Sequence, residues 1–253
     1  MVTIEELTVA DEPGAWAALG FAVDGDRCRI GAVDLRLAGR AAGRGLVSWT
    51  LRGLADAAGD RGLDGLATVR ADGRDAGVVG AAPSGDGGPS AGGVATAGAG
   101  SPAAGAARSG ERAAADRPAA PAHANGVEAI DHVVVISPAL DRTIAAFEAA
   151  GLGLRRVREQ PTPTGAPRQA FFRLGAEIVE VVQEPAEVVA RSGDAERPAI
   201  FWGLALRCAD LDAAVADLGD RVSPIRDAVQ PGRRIASLRR AAGLALPIAL
   251  MTP

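Results

Sequence analysis

The chain has 253 residues, a formal net charge of −4 and an apolar fraction of 48%, enough for one large or two small packed domains. All 27 basic residues are arginine, with no basic excess and no arginine stripe interleaved with aromatics, which argues against nucleic-acid binding. No apolar run approaches the ~20 residues that a membrane span needs, so the expected partner is a small molecule rather than a nucleic acid or a membrane.

Residues 3–10 alternate loosely between apolar and polar and suit a strand. Asp11 is expected to cap a short helix with Pro13 in its first turn, with Trp16 and Leu19 facing inward and Gly20 as the stop. Strands follow from Phe21, over Cys28–Ile30 and over Val33–Leu37, with another candidate at Leu46–Leu51. Beyond it the pattern fades through Gly59, Gly62, Gly65 and Gly73. Residues 74–126 are rich in Gly, Ala, Ser and Pro without periodicity, too poor in large apolar groups to offset the entropy of ordering. They read as a disordered linker, and no role is assigned to His123 within it.

From Val127 the signal is strong. Residues 129–136 form a β-branched run, with Ser137 as expected N-cap and Pro138 at the first helical position. Leu140, Ile144 and Phe147 then share one helical face, and Gly151 stops the helix. Strands are expected at about 153–158, 168–174 and 177–183. A second pass begins at Phe201–Cys208, continues with an Asp210-capped helix carrying Leu211, Val215 and Leu218, and ends in strands at about 222–229, 234–240 and 246–252.

Cys28 and Cys208 lie far apart in sequence and make neither a disulfide framework nor a zinc knuckle. They read as small apolar strand residues of a reducing compartment. The N-terminus lacks a basic region followed by an apolar one, so the expectation is a cytoplasmic protein.

The units repeat in sequence as well as in pattern. Pro138-Ala-Leu-Asp141 aligns with Ala209-Asp-Leu-Asp212, and Arg29–Leu37 aligns with Arg173–Val181. Ile4–Val9 likewise aligns with Ile130–Val135. The chain therefore carries at least three βαβββ units, one before the linker and two after it, each with an apolar face to bury against a copy.

On the opening strand Ile130-Asp-His-Val-Val-Val135, the helix start Pro138-Ala-Leu-Asp141, the Gly151 stop and the pair of strands from Phe171 to Val181, residues 127–253 resemble the vicinal oxygen chelate superfamily. This group includes glyoxalase I, extradiol dioxygenases and bleomycin-binding proteins. The resemblance implies an α+β fold of paired βαβββ modules curled into a half-open barrel over 127–253. Residues 1–73 resemble a degenerate further βαβββ module, with the linker at 74–126.

What the resemblance implies for chemistry is a divalent metal (Fe, Mn, Ni or Zn) held by His132 on the first strand and Glu180 on the last. Glu180 would also be catalytic, acting on a small molecule with vicinal oxygens in a lyase, dioxygenase or transferase reaction. In the second module Gly203 aligns with His132 and Ile248 with Glu180, neither able to bind a metal. Glu6 and Arg36 occupy the two positions in the first unit, so Glu6 or another chain, as in a homodimer, would complete the site. Gln169, Phe171 and Arg173 alternate on one strand and share a face, where they could meet a substrate, with Trp202 as a wall. The alternative is a metal-free binding or sequestering protein with an apolar cavity. Gln230-Pro-Gly-Arg-Arg234 reads as a turn, its arginines either capping a cavity mouth or simply solvated.

Overall fold

The computed structural model describes residues 1–56, 62–71, 120–159 and 168–253; most of the segment assigned to the linker lies outside them. The first strands are β1 (Thr3–Val9), β2 (Val23–Asp24), β3 (Arg27–Ile30) and β4 (Val33–Leu37), with a short helix α1 (Pro13–Ala17) after β1. β5 (Leu46–Arg52) and β6 (Thr68–Arg70) complete a six-stranded sheet of order β2-β3-β4-β1-β5-β6. β4 lies parallel to β1, which a crossover through α1 makes possible. This is the degenerate N-terminal βαβββ module. β5 and β6, also parallel to each other, reproduce the first and last strands of a further unit.

The second sheet begins with β7 (Val127–Ser137), helix α2 (Leu140–Ala149), β8 (Gly153–Arg158), β9 (Gln169–Leu174) and β10 (Glu177–Gln183). A short helix α3 (Ala186–Ser192) leads to β11 (Ile200–Cys208), helix α4 (Leu211–Leu218), β12 (Arg226–Asp227), β13 (Arg234–Ser237) and β14 (Ile248–Met251). The order is β12-β13-β14-β11-β7-β10-β9-β8. Each half is one βαβββ module, and the antiparallel pair β7–β11 is the seam between them. The outer strands do not meet, so the barrel is half open.

Local chemistry explains most boundaries and corrects some. Gly20, Gly151 and Gly219 all take positive φ where helical segments stop, and the Asp210 side chain accepts from Ala213 N at 3.0 Å as the cap of α4. The start of α2 differs from expectation: Ala139 is the N-cap and Leu140 the first helical residue. Ser137 Oγ instead accepts from Ala139 N at 3.0 Å, holding the turn before the helix. Asp11 does not cap α1 either; its carboxylate accepts from Ala245 N and Leu246 N at 2.6 and 3.2 Å. β6 and α3 have no counterpart in the sequence reading, because three half-buried residues and seven mostly exposed ones carry little periodicity.

Alternation on the seam strands decides which face is packed. Val133, Val135, Val179 and Val181 are fully buried in one cluster with Leu7, Val9, Leu35 and Trp49 of the first sheet. Trp49 meets Phe147 of α2 and Phe201 of β11 at 6.3 and 5.1 Å between ring centres. The contact is fastened by Asp64, 5% exposed, which accepts from Arg142 Nε at 2.8 Å and from Thr143 Oγ1 at 2.5 Å. Residues 1–56 thus share a core with 127–253. The end of the assigned linker is part of that packing: Asn125 is buried and bonds Leu19 O at 2.9 Å. His123 Nδ1 accepts from Ala22 N at 2.9 Å, and burial holds its imidazole below the usual histidine range, against a backbone contact at Arg29. Cys28 and Cys208 are buried, unpaired thiols, and burial pushes Cys28 up to about 12.

Candidate functional site

The residues that alternate with the packed valines face the open side of the second sheet. On β7 these are His132, Val134 and Ile136, and on β10 Ile178, Glu180 and Val182, all only partly buried. On β9, Phe171 stands directly opposite Glu180 in register. The result is an apolar cup with a polar floor.

That floor is a chain of bonded groups. Asp131 Oδ2 meets His132 Nδ1 at 2.8 Å, and His132 Nε2 meets Glu180 Oε2 at 3.2 Å; the three side chains are 13–15% exposed. Glu180 Oε1 accepts from Gln169 Nε2 at 2.5 Å, and Gln169 Oε1 accepts from Arg158 Nη1 at 2.8 Å. At the other end Asp131 Oδ1 accepts from Arg233 Nη2 at 2.7 Å, and Arg233 is itself held by Thr252 O and Gln230 Oε1. Asp131 and His132 both reach this floor because β7 carries a register irregularity against β11 between Ile130 and His132.

The two carboxylates are tuned in opposite directions. Burial works to raise Asp131, but hydrogen bonds from His132 and Arg233 outweigh it and hold the carboxyl down at about 2. Burial dominates at Glu180 and lifts it above the usual carboxylate range, only partly offset by His132, Arg158 and Arg156. The contact between His132 Nε2 and Glu180 Oε2 at 3.2 Å needs one proton between the two atoms. Glu180 and His132 are thus placed to share one proton.

The expected site residues divide. His132, Glu180 and Gln169 come together on the floor, and Phe171 joins the wall with the Arg156 and Arg158 guanidiniums 4.6 and 5.7 Å from its ring centre. Arg173 sits at the exposed end of β9 and donates to Gly175 O at 3.2 Å. Trp202 is the extra residue of a bulge on β11 and is 53% exposed. Asp131 and Arg158 lie outside the expected set, whereas Arg233 belongs to the turn whose arginines are expected at a cavity mouth or in solvent. Asp131 adjoins His132, a usable signal; the arginines arrive from β8 and from the turn before β13, which no local spacing reveals.

The donor set falls short of a divalent metal's needs. His132 and Glu180 supply two donors, and Gln169 already spends both ends of its amide on Glu180 and Arg158. Strand register corrects the alignment of the second module: Leu204 pairs with Ile248 as Val133 pairs with Val179, so Ala249, not Ile248, stands where Glu180 does. Ile248 points into the core. Gly203 does occupy the His132 position, and a Cβ there would lie 2.5 Å from Pro247 O. Glu6, the expected outside donor, is engaged by Arg27 Nη1 at 2.7 Å in the first sheet. Among the described residues no group of three or more His, Cys, Asp or Glu is placed to hold a metal, and structural zinc takes four such ligands, catalytic zinc three.

Residues 131–237 match the family model described as the Glyoxalase/Bleomycin resistance protein/Dioxygenase superfamily. No curated protein matches the chain. Among solved structures, methylmalonyl-CoA epimerase from Mycobacterium tuberculosis is 24% identical over 51% of this chain and 89% of its own, with a TM-score of 0.42. A methylmalonyl-CoA epimerase from Streptomyces coelicolor, in complex with 2-nitronate-propionyl-CoA, is 22% identical over 50% of this chain and 94% of its own, with a TM-score of 0.40. A hypothetical protein from Bacillus halodurans is 12% identical over 49% and 93%, with a TM-score of 0.40. Among the described residues no helix is long and apolar enough to cross a membrane. Residues 131–237, which match the glyoxalase, bleomycin resistance and dioxygenase superfamily, the vicinal oxygen chelate group, run from β7 to β13 across the two modules.

Proposed function

We propose that the cup is the active site of a small-molecule enzyme that moves a proton with Glu180 and needs no divalent metal. The observation that supports this reading is the Asp131–His132–Glu180 chain, with its terminal carboxyl raised and facing an open apolar cup. A carboxyl lifted toward neutrality is suited to both taking and returning a proton. The substrate class is a carbon acid with a carbonyl or neighbouring oxygens. Glu180 takes the proton from the carbon beside the carbonyl, the C–H electron pair moves into an enolate, and Glu180, whose carboxyl proton exchanges with water, returns a proton to carbon. Arg156 and Arg158 offset the enolate charge, and Asp131 with Arg233 fixes the imidazole.

The test is incorporation of solvent deuterium into α-keto aldehydes and 2-oxo acids, followed by NMR. Exchange that survives a chelator and is lost in Glu180→Gln is the expected result. Exchange that appears only with added Fe, Mn, Ni or Zn restores the metal-dependent reading. A second reading, a binding or sequestering protein, is favoured by the exposed Trp202 ring. Quenching of its fluorescence by a ligand that undergoes no exchange would support that reading instead.

A further inference from the structure

A second cleft, of about 620 Å³, lies away from the cup where the first sheet meets the second module. It is framed by two short 3-10 turns of the same local sequence, Arg40-Ala-Ala-Gly43 and Arg240-Ala-Ala-Gly243. Four arginines line it, Arg40, Arg44, Arg239 and Arg240, and no carboxylate does. In a chain with more acidic than basic residues, most other described arginines near a carboxylate use it. Arg142, Arg168, Arg197, Arg233 and Arg234 all sit in ion pairs. Among the described residues none of these four does.

The cleft is built rather than incidental. Arg40 Nη2 donates across the seam to Gly243 O at 2.7 Å, and Arg40 N donates to Glu12 Oε1 at 2.9 Å. Asp11, fully buried, binds Ala245 N and Leu246 N directly behind the lining. Among the described residues the Arg239 guanidinium donates to a carbonyl, that of Asp220, at 3.5 Å. Guanidiniums hold phosphate through paired N–H donors, and this volume lies in the range of small-molecule sites. Four guanidiniums lining one cleft exceed what one phosphate needs.

We propose that this cleft binds the diphosphate of a phosphorylated small molecule, with its less polar part against Leu244 and Pro247. The proposal stands independently of the chemistry assigned to the cup. The test is calorimetric titration of the full chain with inorganic pyrophosphate and with ADP, in wild type and in an Arg44→Glu, Arg239→Glu double variant. Neither side chain is packed in the core, so the variant keeps the fold, as its unchanged circular dichroism and melting profile verify. The expected result is binding by wild type that weakens with salt and falls at least about tenfold in the variant. Absence of binding up to about 10 mM ligand overturns the proposal. So does equal affinity of wild type and variant.

Discussion

The two modules of the second sheet have the same strand order and different residues at the matching positions. On the first, His132 and Glu180 meet over a polar floor; on the second, the matching positions are Gly203 and Ala249. The difference goes beyond missing donors, because the Pro247 backbone closes on Gly203 and leaves no room for any side chain. The frame occurs twice, and only the first has room for a side chain at this position. The second module contributes from outside its own cup position: Arg233, from the turn before β13, reaches over the seam to Asp131.

The largest effect should come from filling the closed position. Gly203→Ala drives a methyl against Pro247 O and is expected to cost about 2 kcal/mol or more in urea unfolding. A neutral outcome would mean that the second cup can open, and the contrast between modules would lapse. Next is Asp131→Asn on the open side. Asp131 is held at about 2 against an ordinary 3.8, so its ionised form contributes about 2 kcal/mol above the unfolded value. That contribution is lost as pH falls through the folded one. The variant should therefore be less stable than wild type at neutral pH, and the gap should close between about pH 4 and 2. A gap independent of pH would mean that Asp131 is not held by charge. The smallest shift is in Glu180→Gln. Because burial raises Glu180, its ionised form opposes folding at high pH and its protonated form does not. The variant should match or slightly exceed wild type at neutral pH and lose that advantage in acid. Clear destabilisation at pH 7 would assign Glu180 to structure rather than catalysis.

How much of this was legible depends on the range of the interactions. Helix stops at Gly151 and Gly219, the Asp210 cap and the β-branched runs are local, and the repeat of βαβββ units followed from them. His132 and Glu180 came from the family resemblance, not from spacing, and they do meet. Ile248 and Ala249 are adjacent, and alignment of sequence alone does not decide between them. Strand register has a period of two, so a slip of one moves a residue from core to cup. Arg158 and Arg233 reach the floor from distant elements. Asp11 reads locally as a helix cap and Asp64 belongs to no predicted element, and the partners of both are more than 70 positions away. No local pattern encodes such contacts.

Those two aspartates have a mechanical consequence. Asp64 grips α2 of the first module, and Asp11 grips the strand entry at Ala245 and Leu246 of the second. The N-terminal sheet therefore acts as a brace spanning the β7–β11 seam from behind, and the two halves cannot splay without tearing one clamp from its buried donors. For the function proposed above, the two clamps imply a mouth whose width is set before a substrate arrives, so that entry depends on diffusion and fit rather than on the opening of a hinge.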